Sequence, residues 1–199
     1  MQANDSPPNN MRITGGQARG IPIKAPDRGV RPATDYLREA VFSSLGPARV
    51  SDARVLDCFA GTGAYGLEAL SRGAGHATFV EQDRGALKCW EQNRAAVAKA
   101  LQQEPSAITD LWRGDAFKVL SRGAETFDLV FADPPYELWD SRDADLLTAL
   151  LARLAEHENA RLICEAPGAW EPTLPEGWVL HRRLAKGPRQ PSALIIGRG

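Results

Sequence analysis

Apolar runs of strand length alternate with stretches of helical spacing along most of the chain, and this alternation restricts the fold more than any other feature. The runs lie at Arg54 to Phe59, Ala77 to Glu81, Phe127 to Ala132 and Arg161 to Glu165, with a weaker one near Leu111 and Trp112. Between them Leu87, Trp90, Val97 and Leu101, and later Leu146, Leu147, Leu150, Leu151 and Leu154, recur at helical intervals. Strands that alternate with helices predict a parallel sheet covered on both faces. The end of the chain differs. Trp178 to Leu184 and Ala193 to Ile196 are joined by a Gly, Pro and basic connection with no room for a crossover helix, which predicts an antiparallel pair. The expected fold is α/β, with a mostly parallel seven-stranded sheet that closes on that pair.

The 199 residues suit one compact domain, and no apolar run approaches the roughly 18 residues of a membrane span. Met1 to Asn10 is polar, lacks the regions of a signal peptide and is expected to be a disordered tail, with Met11 an equally plausible start. Residues 11–49 form an N-terminal extension. Its Gly15, Gly16, Gly20, Pro22 and Pro26 predict a short strand or hairpin, and Thr34 caps a helix carrying Leu37, Ala40, Val41 and Leu45 that Gly46 and Pro47 close. Residues 50–199 form the main domain. Cys58, Cys89 and Cys164 have neither disulfide nor zinc spacing and read as reduced core residues of a cytoplasmic protein.

A net charge of -1 gives no overall attraction to polyanions, so any nucleic-acid contact must come from local clusters. Arg12, Arg19, Lys24, Arg28, Arg31, Arg38 and Arg49 outnumber the acids in their segment, and Arg182, Arg183, Lys186, Arg189 and Arg198 follow Trp178 with no acid at all. Two solvated basic faces would look the same from composition alone.

The first chemical motif is Asp57-Cys58-Phe59-Ala60-Gly61-Thr62-Gly63-Ala64-Tyr65-Gly66, where an apolar strand runs into glycines that open a helix. Such a crevice binds the ligand of an open α/β sheet. Gly61, Gly63 and Gly66 also spell the dinucleotide fingerprint. Asp57 argues against that reading, because a carboxylate there repels a pyrophosphate and attracts the ammonium and sulfonium of S-adenosylmethionine. The backbone from Phe59 to Gly63 would then approach the cofactor. Glu81, with Gln82 beside it, ends the second strand 18 residues beyond Gly63, in reach of a ribose. Asp115, followed by Ala116, comes after the third strand and could accept the adenine amine. Each of these acids could equally be a turn or surface residue if taken alone.

The second motif is Asp133-Pro134-Pro135-Tyr136 at the carboxyl end of a buried strand. An exocyclic base amine is a poor nucleophile because its lone pair is delocalised into the ring. Acceptors on the amine localise that pair, and the Asp133 carboxylate and Pro134 carbonyl can both serve, held by the prolines. Tyr136 offers a face for an extruded base, where stacking is worth roughly 1–3 kcal/mol. A rigid surface turn is the alternative. His76, His157 and His181 are isolated, and no metal cluster competes for the catalytic role.

With these residues in place, the chain resembles the RsmD family of bacterial ribosomal RNA methyltransferases from Met11 onward. The likeness rests on Met11-Arg12-Ile13-Thr14-Gly15-Gly16 with Arg19-Gly20, on Arg31-Pro32-Ala33-Thr34-Asp35 with Arg38-Glu39, on Gly66-Leu67-Glu68-Ala69-Leu70-Ser71-Arg72-Gly73, and on the two motifs above. The resemblance implies a class I S-adenosylmethionine-dependent methyltransferase (Rossmann-like) fold. It implies methylation of guanine N2 in 16S rRNA, at guanine 966, within the 30S subunit. A monomer is expected, with Arg12, Arg19, Arg31, Thr34 and Arg38 touching RNA. The chain departs from the family at Lys186-Gly187-Pro188-Arg189, where members often carry an aromatic residue, and no role is assigned to that loop. Three other readings compete: an adenine-N6 DNA methyltransferase, for which this length leaves no recognition domain, a non-catalytic RNA-binding assembly factor, and a dinucleotide oxidoreductase.

Overall fold

The computed structural model describes residues 11–26, 35–185, 187 and 190–199. The expected tail 1–10, Arg31, the Thr34 cap, and Lys186 and Arg189 of the C-terminal loop lie outside the described residues. In chain order the elements are α1 (Asp35–Leu45), α2 (Pro47–Val50), β1 (Arg54–Cys58), α3 (Ala64–Ser71), β2 (His76–Glu81), α4 (Arg84–Leu101), α5 (Pro105–Ile108), β3 (Thr109–Arg113), α6 (Ala116–Arg122), β4 (Leu129–Ala132), α7 (Tyr136–Leu151), β5 (Arg161–Ala166), β6 (Trp178–Ala185) and β7 (Ser192–Arg198).

One seven-stranded sheet runs in the order β3-β2-β1-β4-β5-β7-β6, the class I methyltransferase arrangement. β3, β2, β1, β4 and β5 pair in parallel, and β7 pairs antiparallel to both β5 and β6. The final hairpin is thus inserted backwards, with β7 inside and β6 on the edge. Burial matches that placement: β7 is buried over all but its last residue, whereas β6 is exposed along much of its length.

The two faces carry separate cores. One packs α1, α3 and α4 against the sheet through Val41, Phe42, Leu67, Trp90, Phe79 and Phe131, and it also takes up Met11, Ile13, Ala18 and Ile23. The segment 11–26 is therefore held by burial as well as by its own backbone bonds, an Ile13–Ile21 and Ile23–Met11 ladder around the Arg12↔Pro22 bridge. The other face packs α6 and α7 through Leu120, Trp139, Leu146, Leu147 and Leu150. Two boundaries shift from the sequence reading. α7 begins at Tyr136, directly after the prolines, and Leu154 lies beyond its end in a bridge to Phe127.

Candidate functional site

β1 ends at Cys58 because Phe59 turns to φ 62, a left-handed conformation uncommon outside glycine and typical of functional turns. The loop continues through Gly61 (φ 53) to Gly63 (φ 81), which precedes α3. Packing also demands Gly63 and Gly66. A Cβ on Gly63 would stand 2.6 Å from Trp90, and one on Gly66 2.4 Å from Phe79. These two glycines serve helix–strand contact. Thr62 is buried, and its carbonyl accepts from Asn93.

Acids stand at the carboxyl ends of three neighbouring strands. Asp57 of β1 is buried and accepts the Gly66 N–H at 2.8 Å. Burial pushes its carboxyl up to about 8, with Glu81 adding repulsion and the Gly66 bond opposing the rise. Glu81 of β2 accepts Gly61 N–H at 2.7 Å with one oxygen, and Gln82 and Asp83 N–H with the other. It therefore ties the glycine loop to the end of β2. Asp115 caps α6 through Lys118 N–H, with buried Ala116 beginning that helix. This set of acceptors suits S-adenosylmethionine, whose ammonium, ribose hydroxyls and adenine amine all need acceptors.

The register Cys58↔Ala132↔Cys164 brings the ends of β1, β4 and β5 level. Asp133 and Glu165 are therefore neighbours one step beyond the last paired residues. Burial drives the Asp133 carboxyl well above the usual carboxylate range, and the charges of Glu165 and Asp57 push it further. Glu165 is raised by burial and held back by a hydrogen bond from Tyr65 and the field of Arg38. The Tyr65 hydroxyl donates to Glu165 Oε1 at 2.5 Å, and its ring stacks on Phe131 at 5.0 Å. Trp139 Nε1 donates to the Glu165 carbonyl at 2.8 Å, which fastens the start of α7 to β5. Pro134 is buried, Pro135 is exposed, and Tyr136 packs half-buried against the α7 core.

Glu165 and Tyr65 were absent from the sequence-derived site. An acid closing an apolar strand was the available signal for Glu165, the same signal that singled out Glu81. Nothing local marks Tyr65.

The basic residues divide. Arg12 and Arg19 are exposed, Arg12 beside Asp35 at 3.8 Å. Arg38 corrects the expectation of a phosphate contact. Its side chain is 0% exposed, bonded to Asp35 at 2.8 Å and Glu68 at 3.3 Å and donating to the Arg12 carbonyl, so among the described residues it organises the fold. Among the described residues no His, Cys, Asp or Glu group could hold a metal, and no helix is long and apolar enough to cross a membrane.

A family profile described as conserved hypothetical protein 95 matches residues 11–193. The ribosomal RNA small subunit methyltransferase D of Escherichia coli (strain K12) is 36% identical over 185 residues, spanning 92% of this chain and 89% of the relative. A solved Escherichia coli structure, yhhF, provisionally assigned as a methyltransferase, is 34% identical with TM-score 0.77, covering 94% of this chain and 97% of that one. SMU.776, another provisionally assigned methyltransferase, was solved with SAH. At 16% identity and TM-score 0.65, over 85% of this chain and 51% of that one, it shares the fold.

Proposed function

The chain belongs to the RsmD family, and on that premise we propose that it transfers a methyl group from S-adenosylmethionine to the exocyclic N2 amine of a guanine in 16S rRNA, guanine 966 within the 30S subunit. The observation that carries this reading is the row of carboxyls Asp57, Asp133 and Glu165 at the carboxyl ends of β1, β4 and β5, the first and last buried and Asp133 half-buried, with no Lys or Arg ion pair among the described residues. Such a site favours a cation and an amine over an anionic cofactor.

When bound, S-adenosylmethionine supplies an electrophilic methyl group on a sulfonium. Asp57, Glu81, Asp115 and the backbone from Phe59 to Gly63 would hold it. Asp133 and the Pro134 carbonyl accept hydrogen bonds from the amine and turn its lone pair toward the methyl. The raised proton affinity of Asp133 equips it to take the proton that the methylated nitrogen gives up. Tyr136 provides the stacking face, and exposed Arg12 and Arg19 contact phosphate. Residues 11–49 thereby form the RNA-contacting extension and residues 50–199 the methyltransferase domain, acting as a monomer.

The test is transfer of tritiated methyl to unmethylated 16S rRNA in 30S particles, beside free rRNA and DNA, with nuclease digestion to identify the product. N2-methylguanosine from RNA is the expected product. N6-methyladenine in DNA would replace the proposal with the adenine enzyme, and cofactor binding without transfer to any substrate would point to an assembly factor.

A further inference from the structure

We propose that the pocket bounded by Arg49, Arg161, His181 and Arg182 is an anion site for a backbone phosphate of the RNA substrate, a second anchor remote from the methyl-transfer centre. The pocket is about 180 Å³ and is completed by Ser44, Leu45 and Ile195, so its polar lining carries no carboxylate. It lies at the amino end of β5, whereas the reactive acids lie at the carboxyl ends. Arg161 and Glu165 are four residues apart on one strand, about 13 Å at ~3.3 Å per residue.

The arginines are held in place but not neutralised. Arg49 donates to the Leu45 carbonyl, Arg161 to the Glu158 and Ala160 carbonyls, and Arg182 to Ser44 Oγ. None of the three forms an ion pair among the described residues, and the buried Nε of Arg49 has no hydrogen-bond partner. A buried donor without a partner is costly, and an anion in the pocket would satisfy it. The local field is positive. Burial lowers the proton affinity of His181, and Arg161 and Arg49 lower it further against a backbone bond at Arg198. Glu158 is the acid that acts on Arg161 in the opposite sense. Gly197 permits the arrangement, since a Cβ there would meet both Arg161 and His181 at 2.9 Å.

A phosphate group fits this volume with water to spare. The surface setting of exposed His181 and Arg182 suits a phosphate within a chain, and this choice of ligand rests on the RNA reading above.

The test compares the wild-type chain with Arg49→Gln/Arg182→Gln, with Arg182→Gln alone, and with Arg54→Gln as a control arginine paired to Glu125. Calorimetric titration with S-adenosylhomocysteine confirms that each variant is folded. The double variant should bind unmethylated 16S rRNA about 5-fold more weakly at physiological salt and flatten its salt dependence by roughly one unit, with kcat at saturating RNA retained. Arg182→Gln should lose part of this and Arg54→Gln none. Separately, inorganic phosphate should raise the His181 pKa, followed by NMR.

Unchanged rRNA affinity and salt slope would overturn the proposal, and a His181 response to inorganic phosphate alongside unchanged RNA affinity would reassign the pocket to a free anion. Wild-type methyl incorporation judges the RNA reading separately: methylated RNA with an inert pocket refutes only the anchor, and absence of RNA methylation refutes the reading on which the anchor rests.

Discussion

Two clusters of buried acid in this molecule are treated in opposite ways. Glu68, 0% exposed on α3, accepts Thr14 N–H and Oγ–H, Gly15 N–H, and the guanidinium groups of Arg38 and Arg72, so its charge is fully answered. It fastens the segment after Met11, α1 and α3 to one another. Asp57 and Glu165, at the ends of β1 and β5, are also withdrawn from water, their charges bear on half-buried Asp133 between them, and all three proton affinities rise. A charge paired with arginine holds a fold, whereas carboxyls without an ion-pair partner among the described residues, crowded at the carboxyl end of a sheet, are a cost that a cationic ligand can relieve. That contrast separates the acid that holds the fold from the acids proposed to work, without reference to any relative.

Removing one acid from each cluster sharpens the contrast. Glu68→Ala removes the buried carboxylate that faces Arg38 and Arg72, and should lower stability by about 3 kcal/mol in urea denaturation. If the loss is negligible, Glu68 does not hold the extension to the fold. Asp133→Ala should reduce methyl transfer at least ~100-fold while S-adenosylmethionine binding, measured calorimetrically, survives. Retained turnover would remove Asp133 from the chemistry.

Asp57→Asn is the most conservative substitution and the most diagnostic. With its carboxyl near 8 in the fold and near 3.8 in the unfolded chain, Asp57 keeps a proton on folding that the unfolded chain releases between those values. Its contribution to stability is thus complete below about pH 4 and is lost as pH rises toward 8, so the wild type should fall relative to the variant by up to about 1.4 kcal/mol per pH unit across that window. The same variant should bind S-adenosylmethionine more weakly. A pH-independent difference in denaturation midpoint would mean that Asp57 is solvated like an ordinary carboxylate.

Much of the architecture was legible in the chain. Periodicity located the strands to within a residue or two, and the glycine motif and Asp133-Pro134-Pro135-Tyr136 fell at strand ends as expected, because these patterns are local. Arg38 misled, since an arginine in a basic segment looks solvent-facing until Glu68, thirty residues away, is seen to receive it. Glu165 went unremarked because one acid after a strand carries no meaning until its neighbours are known. The sequence by itself determined which segments extend, which coil into helices, and which carry glycine, carboxylate or proline at the turning points. Only the tertiary structure decided that β4 lies between β1 and β5, that β7 enters backwards beside β5, and hence which buried charges meet a partner and which meet each other. Strand order and register arise from pairings distant along the chain, and the electrostatic character of each acid is set by what those pairings bring beside it.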